Sequence, residues 1–85
     1  MKTTLLEVFI EPGCKACVSV MHSIRKVQSD LNIEVKVYRR DTEPDVFKKR
    51  NVVITPAIFI NNVLMFYGEV TPVEIEKKLY QVNRI

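Results

Sequence analysis

Two cysteines separated by two residues, Cys14 and Cys17, are the side chains of this sequence best suited to redox or metal chemistry. An apolar run ends at Ile10, and a helical pattern begins after Pro12-Gly13. Cys14 is therefore expected at a helix N-terminus, where unpaired backbone N–H groups and the helix dipole favour a negative charge. Lys15 adds a positive charge beside it. Both effects favour the thiolate, the nucleophilic form of a cysteine.

The spacing of the pair suits reversible disulfide formation. Positions i and i+3 of a helix are neighbours at about 5–6 Å, a span that a disulfide can bridge. Cys14, at the exposed end, would attack a substrate disulfide. Cys17, on the buried stripe, would then attack the Cys14 sulfur and release the reduced substrate. No separate cofactor is expected, because the Cys14–Cys17 pair itself carries the electrons.

Other uses of the two cysteines fit the sequence less well. A disulfide that closes so short a loop restrains the unfolded chain little, and two buried thiols would explain Cys17 but not Cys14. A structural zinc site needs about four ligands, whereas the chain offers two Cys and His22. His22 lies off the Cys17 stripe and is expected to face solvent. Met21 is expected in the core rather than as a metal ligand.

The composition indicates one small globular domain, residues 1–85. Hydrophobic residues make up 47% and charged residues 27%, and two glycines are too few for a Gly-rich phosphate loop. No signal-peptide pattern opens the chain, and no apolar stretch approaches the roughly 18 residues of a membrane span. The net charge is +3, but no aromatic residues are interleaved with the basic clusters. We therefore expect a soluble cytoplasmic protein, with neither nucleic acid nor membrane as a partner.

The pattern of apolar residues places the cysteines between a strand and a helix. The near-continuous apolar run Thr4–Ile10 predicts a strand covered on both faces. A four-turn amphipathic helix follows, with Ser23 on its polar side and Asn32 as its C-terminal cap. Its apolar stripe is formed by Cys17, Val20, Met21, Ile24, Val27 and Leu31. Ile33–Tyr38 alternates as a half-buried strand, which completes a right-handed βαβ unit with parallel strands.

The second half of the chain predicts a short helix, a hairpin and a closing helix. Asn61-Asn62 suits a two-residue hairpin turn, because Asn tolerates positive φ. Thr71 and Glu74 flank Pro72 in a capping-box arrangement. The predicted elements are a helix at Val46–Arg50, strands at Ala57–Asn61 and Val63–Tyr67, and a helix over Thr71–Ile85. This order predicts an α/β fold with a four-stranded mixed sheet and helices on both faces.

A further feature is Thr55-Pro56 before the third strand. Proline cannot donate to a strand ladder, so it marks the first position of the strand, and an X-Pro bond can be cis. The Pro-Gly-Cys-Lys-Ala-Cys segment, the segment Thr55–Ile60 and Phe66-Tyr67-Gly68 before the closing helix together resemble the thioredoxin/glutaredoxin superfamily. The resemblance covers nearly the whole chain and is greatest to small, glutaredoxin-sized members.

The resemblance implies a thioredoxin-like fold, βαβ–α–ββα, and a thiol–disulfide oxidoreductase. It implies that Pro56 is cis and packs against the cysteine pair, and that the Thr55 backbone pairs with an extended substrate segment. Gly13 and Lys15 complete the expected substrate-binding residues. The implied partners are protein disulfides and, as electron donor, a disulfide reductase or glutathione. We expect a monomer.

The sequence also departs from the family pattern. Thioredoxins have Trp before the first cysteine and a buried acid in the first strand, which would fall here at Val8. Glu7 is adjacent but faces the other way in an alternating strand, so Cys17 is expected to lack this carboxylate. Glutaredoxins have a Gly-Gly-x-Asp-type stretch near the last helix, whereas Gly68-Glu69-Val70-Thr71 keeps one Gly and no Asp.

Two other functions remain open at this point. A CxxC at a loop-to-helix junction also resembles the heavy-metal-associated domains, in which it binds a soft ion such as Cu(I). Those domains run βαββαβ, whereas this chain is predicted to close with the Thr71–Ile85 helix. The other possibility is a redox-inactive interaction module whose CxxC serves a larger partner.

Overall fold

The structure is a computed structural model that describes residues 4–83, with position 83 described by its backbone alone. Its elements alternate in the predicted order, and the first and fourth strands have the predicted bounds. The last two residues of the predicted closing helix lie outside the described residues. In chain order, the elements are β1 Thr4–Ile10, α1 Lys15–Asp30, β2 Ile33–Arg39, α2 Pro44–Lys49, β3 Ala57–Ile60, β4 Val63–Tyr67 and α3 Pro72–Asn83.

The strands form a mixed four-stranded sheet in the order β2-β1-β3-β4. β1 and β2 are parallel, which confirms the predicted βαβ pairing, and the other two pairs are antiparallel. Ile10 lies opposite Arg39, and Phe9 lies opposite Ala57. The loop after β1, the end of β2 and the start of β3 therefore meet at one end of the sheet, where the cysteines follow.

One face of the sheet packs against α1 and α3. The predicted apolar stripe of α1 is confirmed at Val20, Ile24 and Val27, which are fully buried. Strands β1 and β3 contribute the inward side chains of this face. They are Leu6, Val8, Ile58 and Ile60, and α3 adds Ile75 and Leu79. Burial of each such side chain stabilises the fold by about 1.5–3 kcal/mol relative to exposure.

The opposite face of the sheet packs against α2. The Phe9 ring meets the Phe47 ring of α2 edge-on, with centroids 5.0 Å apart, and lies 5.3 Å from Phe59. Such aromatic pairs contribute stabilisation beyond the area they bury. Helices thus cover both faces of the sheet, as the sequence predicts. Because α2 separates β2 from β3 and a helix follows β4, the order differs from the βαββαβ order of heavy-metal-associated domains.

The predicted hairpin turn and the predicted N-terminal cap of the closing helix are both present. Asn61 and Asn62 have φ of 49° and 70°, the left-handed conformation that a two-residue hairpin needs. At α3, the N–H of Glu74 donates to Thr71 Oγ1 at 3.2 Å, and the Thr71 N–H donates back to Glu74 Oε1 at 3.1 Å. This reciprocal pair confirms the capping box.

Some local predictions were wrong. Ser23 is 8% exposed rather than on a solvated side, because its hydroxyl donates to the carbonyl oxygen of Val70 at 2.9 Å. The C-cap of α1 is Leu31 rather than Asn32; it is extended, and its N–H bonds to Val27. The bounds of the middle elements shift by one or two residues. β2 extends to Arg39, α2 covers Pro44–Lys49, and β3 ends at Ile60 because Asn61 turns.

Candidate active site

Cys14 is the N-cap residue of α1 and has an extended backbone, with φ −93° and ψ 109°. Its Sγ accepts a hydrogen bond from the N–H of Cys17 at 3.1 Å, and its carbonyl accepts one from Val18 at 3.3 Å. No acidic residue lies in the first turn of α1. The helix dipole and the Cys17 N–H therefore both act to stabilise a negative charge on the Cys14 sulfur.

The two cysteines are joined by a disulfide and differ in exposure. Their Cα atoms are 5.2 Å apart, inside the range that disulfides need. Cys17 is only 3% exposed, whereas Cys14 is half-buried. Gly13, with φ 76°, makes the turn that delivers Cys14 to the helix. A Cβ at Gly13 would meet no atom within 4 Å, so this position needs glycine for its backbone conformation rather than for space.

The segment before β3 reaches the same end of the sheet. The Thr55–Pro56 peptide is cis, Pro56 is buried, and its carbonyl accepts the N–H of Gly68 at 2.9 Å. Thr55 is half-buried, and its hydroxyl donates to the carboxylate of Glu11. The loop that carries the cysteines is thereby attached to the segment that the resemblance assigns to substrate binding.

Glu11 also joins Arg40 to the site. Glu11 Oε2 lies 3.5 Å from Arg40 Nε, and Arg40 Nη2 donates to the Val53 carbonyl at 2.7 Å. The Arg40 guanidinium stacks over the Phe47 ring, 4.8 Å from its centroid. This network was not predicted from the sequence. A usable signal is that Glu11 and Arg40 directly follow the parallel neighbours β1 and β2, whose carboxyl ends meet at one edge.

A cavity of ≈ 510 Å³ opens beside the disulfide, on the β2 side of β1. We call it the β2-side groove. Both cysteines and Met21 line it, and Met21 also packs against the core, as the sequence predicts. His22 lies exposed at its wall, as expected. The other lining residues used below are Ile10, Glu11, Lys15, Val18 and Arg39.

Glu7 lies on the α2 side of the sheet, away from the α1 stripe that holds Cys17, as its position in the strand predicts. It is 4% exposed and forms a bidentate bond with Arg50, both N–O distances being 3.0 Å. The Tyr38 hydroxyl donates to it at 2.9 Å. Burial acts to raise the pKa of Glu7. The bonds from Arg50 and Tyr38, with the charges of Arg50 and Lys36, outweigh this effect and lower the pKa.

Comparison with known proteins identifies the fold family. A family model described as a thioredoxin domain matches residues 4–81. The chain belongs to the thioredoxin-domain family. The thioredoxin-like fold and the disulfide at CxxC spacing support a redox role for this thioredoxin-domain protein, of the oxidoreductase kind. No curated protein matches the chain.

Solved structures share this thioredoxin fold at low identity. A malarial protein superposes with a TM-score of 0.85 at 17% identity, covering 94% of this chain and 97% of the other. Chloroplastic thioredoxin z gives 0.80 at 22% identity, covering 94% and 78%. Oxidized mitochondrial thioredoxin 3 from Saccharomyces cerevisiae gives 0.75 at 19% identity, covering 94% and 79%. At these identities the likeness shows the shared fold.

Two absences among the described residues bear on metal binding and membrane insertion. Between residues 4 and 83, no group of three or more His, Cys, Asp or Glu side chains is placed to hold a metal ion. In the same part of the chain, no helix is long and apolar enough to cross a membrane.

Proposed function

We propose that this protein is a thiol–disulfide oxidoreductase in which Cys14 is the attacking residue and Cys17 the resolving residue. The observation that supports this assignment is the asymmetry of the pair. Cys14 is the more exposed residue, and its Sγ accepts the Cys17 N–H at a helix N-terminus, whereas Cys17 is buried. A thiolate at Cys14 is thus both stabilised and reachable, while Cys17 is reachable mainly by its neighbour.

The proposed reaction moves two electrons. The Cys14 thiolate attacks one sulfur of the substrate disulfide, the substrate S–S bond breaks, and the leaving sulfur takes a proton from solvent. Cys17 loses its proton and attacks Cys14 Sγ, so the mixed disulfide breaks and the second substrate thiol is released. The protein ends as the Cys14–Cys17 disulfide and the substrate as a dithiol. The same steps in reverse oxidise a dithiol.

We assign substrate binding to the residues around Cys14. The Thr55 backbone would pair with an extended substrate segment, in the manner of strand addition. The bond between the Thr55 hydroxyl and Glu11 supports this role, because it holds the segment before β3 against the cysteine loop. Pro56 leads into β3 through a cis peptide, Gly13 makes the left-handed turn before Cys14, and Lys15 offers an exposed cation beside Cys14.

The partners proposed for this function are protein disulfides as substrates and a disulfide reductase or glutathione as electron donor. The redox group is the cysteine pair, without a separate cofactor. We propose that the protein acts as a monomer in the cytoplasm, where thiols are kept reduced.

The test is equilibration of the protein in glutathione buffers of graded redox poise, followed by alkylation and mass measurement of free thiols. A reversible two-electron couple that disappears in both Cys14→Ser and Cys17→Ser is the expected result. If the wild-type pair stays reduced throughout the range, the proposed function is wrong.

A further inference from the structure

The β2-side groove lies on the opposite side of β1 from Thr55. The sheet order is β2-β1-β3-β4, so the Thr55–Pro56 segment, which leads into β3, is on the other side of β1 from the end of β2. Arg39 belongs to the β2 end and lines the groove. The disulfide therefore has two distinct approaches. A substrate that pairs with the Thr55 backbone leaves the β2-side groove open to whatever flanks its cysteine.

The floor of the groove is apolar and continuous with the core. Ile10 and Met21 line it and pack against the main hydrophobic cluster. Val18 lines it from α1 and is 60% exposed, one turn after Cys14. A cavity of ≈ 510 Å³ is within the range that holds a small peptide side chain with its neighbours. An apolar side chain next to the substrate cysteine would cover Val18 and bury its exposed apolar surface.

Two cationic side chains lie at the rim of the groove. Lys15 and Arg39 line it, and both are exposed. Arg39 forms a bidentate pair with Asp41, with Nε–Oδ1 at 3.2 Å and Nη2–Oδ2 at 2.9 Å. Both side chains are about half exposed, so a carboxylate of the ligand competes with Asp41 for Arg39. The carboxylate that lines the groove, Glu11, is already engaged by Thr55 and Arg40. Among the described residues Lys15 has no ion-pair partner, so the positive charge presented to a ligand is that of Lys15, together with the part of Arg39 that Asp41 leaves accessible.

From this combination we infer that Lys15, Arg39 and Val18 determine substrate specificity. They select disulfide substrates in which the cysteine is flanked, on the side that reaches the groove, by an apolar residue and then by an acidic one. The apolar side chain enters the groove over Val18, and the carboxylate meets the Lys15–Arg39 rim. The inference rests on the proposed attack by Cys14, and it adds which flanking sequence that sulfur accepts.

The test uses three otherwise identical peptides in which one cysteine is blocked by 2-thiopyridine and is flanked on both sides by Leu and then by Glu, Gln or Lys, so that either chain direction presents the same pair to the groove. The Cys14 thiolate of pre-reduced protein attacks the peptide sulfur and expels pyridine-2-thione, whose absorbance reports the rate. Cys17 then releases the peptide thiol. We expect the Glu peptide to react about fivefold faster than the Lys peptide, the size of an exposed charge effect. Added salt should reduce the preference.

Variants identify the groove as the origin of the preference. Arg39→Glu should reduce or reverse the Glu-over-Lys ratio. Lys77→Glu, which makes the same charge change at an exposed site on α3, should keep it. Val18→Ser should slow the Leu peptides relative to matched peptides that have Ser in place of Leu. Because Arg39 and Val18 are exposed, neither substitution removes core packing.

The outcomes distinguish failure of the specificity inference from failure of the proposed oxidoreductase function. Equal thione release from all three peptides, or a preference that Lys77→Glu removes as fully as Arg39→Glu, overturns the specificity inference while the oxidoreductase function stands. If the peptides release thione with dithiothreitol but none does so with the wild-type protein, attack by Cys14 is refuted, and the specificity inference fails with it.

Discussion

The hydroxyl of Thr55 donates a hydrogen bond to the carboxylate of Glu11, 44 positions away in the sequence. The bond joins the loop that carries the cysteines to the segment that precedes β3. Two parts of the candidate active site that come from distant parts of the chain are thereby held together. Arg40 adds a second link between them, because it lies 3.5 Å from Glu11 and donates to the Val53 carbonyl at 2.7 Å.

We expect Thr55 and Glu11 to contribute non-additively to the free energy of unfolding. Thr55→Val removes the hydroxyl but keeps the shape, and Glu11→Met removes both carboxylate oxygens and with them the acceptor of the bond. Because a hydrogen bond to a partly exposed carboxylate is worth about 1 kcal/mol, the two substitutions together should cost that much less than the sum of the singles. Urea unfolding of the four proteins measures the coupling. Strict additivity would show that the two loops are held by other contacts.

The roles of the two cysteines lead to a second prediction. Cys17→Ser should accumulate mixed disulfides through Cys14, because the attacking sulfur remains and the resolving sulfur is gone. Cys14→Ser should accumulate none and should lose disulfide exchange. Mass spectrometry of the trapped species, after incubation with an oxidised peptide, locates the bond. Species trapped through Cys17 in the Cys14→Ser protein would reverse the assignment of roles.

Lys15 gives a third prediction, on the rate of attack. It is an exposed cation beside Cys14, so Lys15→Glu should disfavour the thiolate and slow mixed-disulfide formation several-fold at neutral pH. The rate of alkylation of reduced protein by iodoacetamide, an uncharged reagent, measures the thiolate directly. Lys77→Glu is the control for net charge. If Lys15→Glu is alkylated as fast as the wild type, the nearby cation contributes nothing to the reactivity of Cys14.

The sequence predicted features that depend on local patterns. Strand β1, the Asn61-Asn62 turn and the Thr71–Glu74 capping box follow from hydrophobic periodicity and turn chemistry within a few residues. The placement of Cys14 at the start of α1 follows in the same way, since Gly13 and the change of period mark the strand-to-helix turn.

Features that depend on contacts between distant residues were not predicted from the sequence. Ser23 was placed on a polar face because it is a serine, but the carbonyl of Val70 approaches α1 there and accepts its hydroxyl. The Thr55–Glu11 bond and the Glu7–Arg50 pair join residues separated by 44 and 43 positions, which periodicity within one element does not report. The β2-side groove likewise brings Arg39 of β2 beside residues 10–22.

Gly13 gives a fourth prediction, on backbone strain. Its φ of 76° is left-handed, and a Cβ there would meet no atom within 4 Å, so the cost of substitution is conformational. Gly13→Ala should lower the free energy of unfolding by about 1 kcal/mol, and Gly13→Asn by less, since Asn tolerates this region better. Chemical denaturation of the three proteins checks the order. If Ala is no worse than Asn, the turn relaxes to another conformation.

The ion pair of Glu7 and Arg50 gives the last prediction, on pH dependence. The pKa of Glu7 is lowered in the folded protein, so the unfolded chain binds more protons there as the pH falls. The stability from Glu7 is therefore fully present above its ordinary pKa of about 4.3 and is lost as the pH falls through the lower folded value. The bond to Glu7 also raises the pKa of Arg50, which stays charged throughout this range.

Glu7→Gln should remove this acid-dependent part and lower stability at neutral pH by about 2 kcal/mol, because it leaves the Arg50 charge half-buried without its partner. Glu34→Gln, at an exposed carboxylate on β2, is the matched control and should change little. Urea unfolding between neutral pH and pH 3 gives the free energy of unfolding at neutral pH and its decrease with acid. Stability of Glu7→Gln that falls with acid as steeply as in the wild type would place the acid sensitivity elsewhere. The Glu7–Arg50 pair would then be a packing contact rather than the origin of the pH dependence.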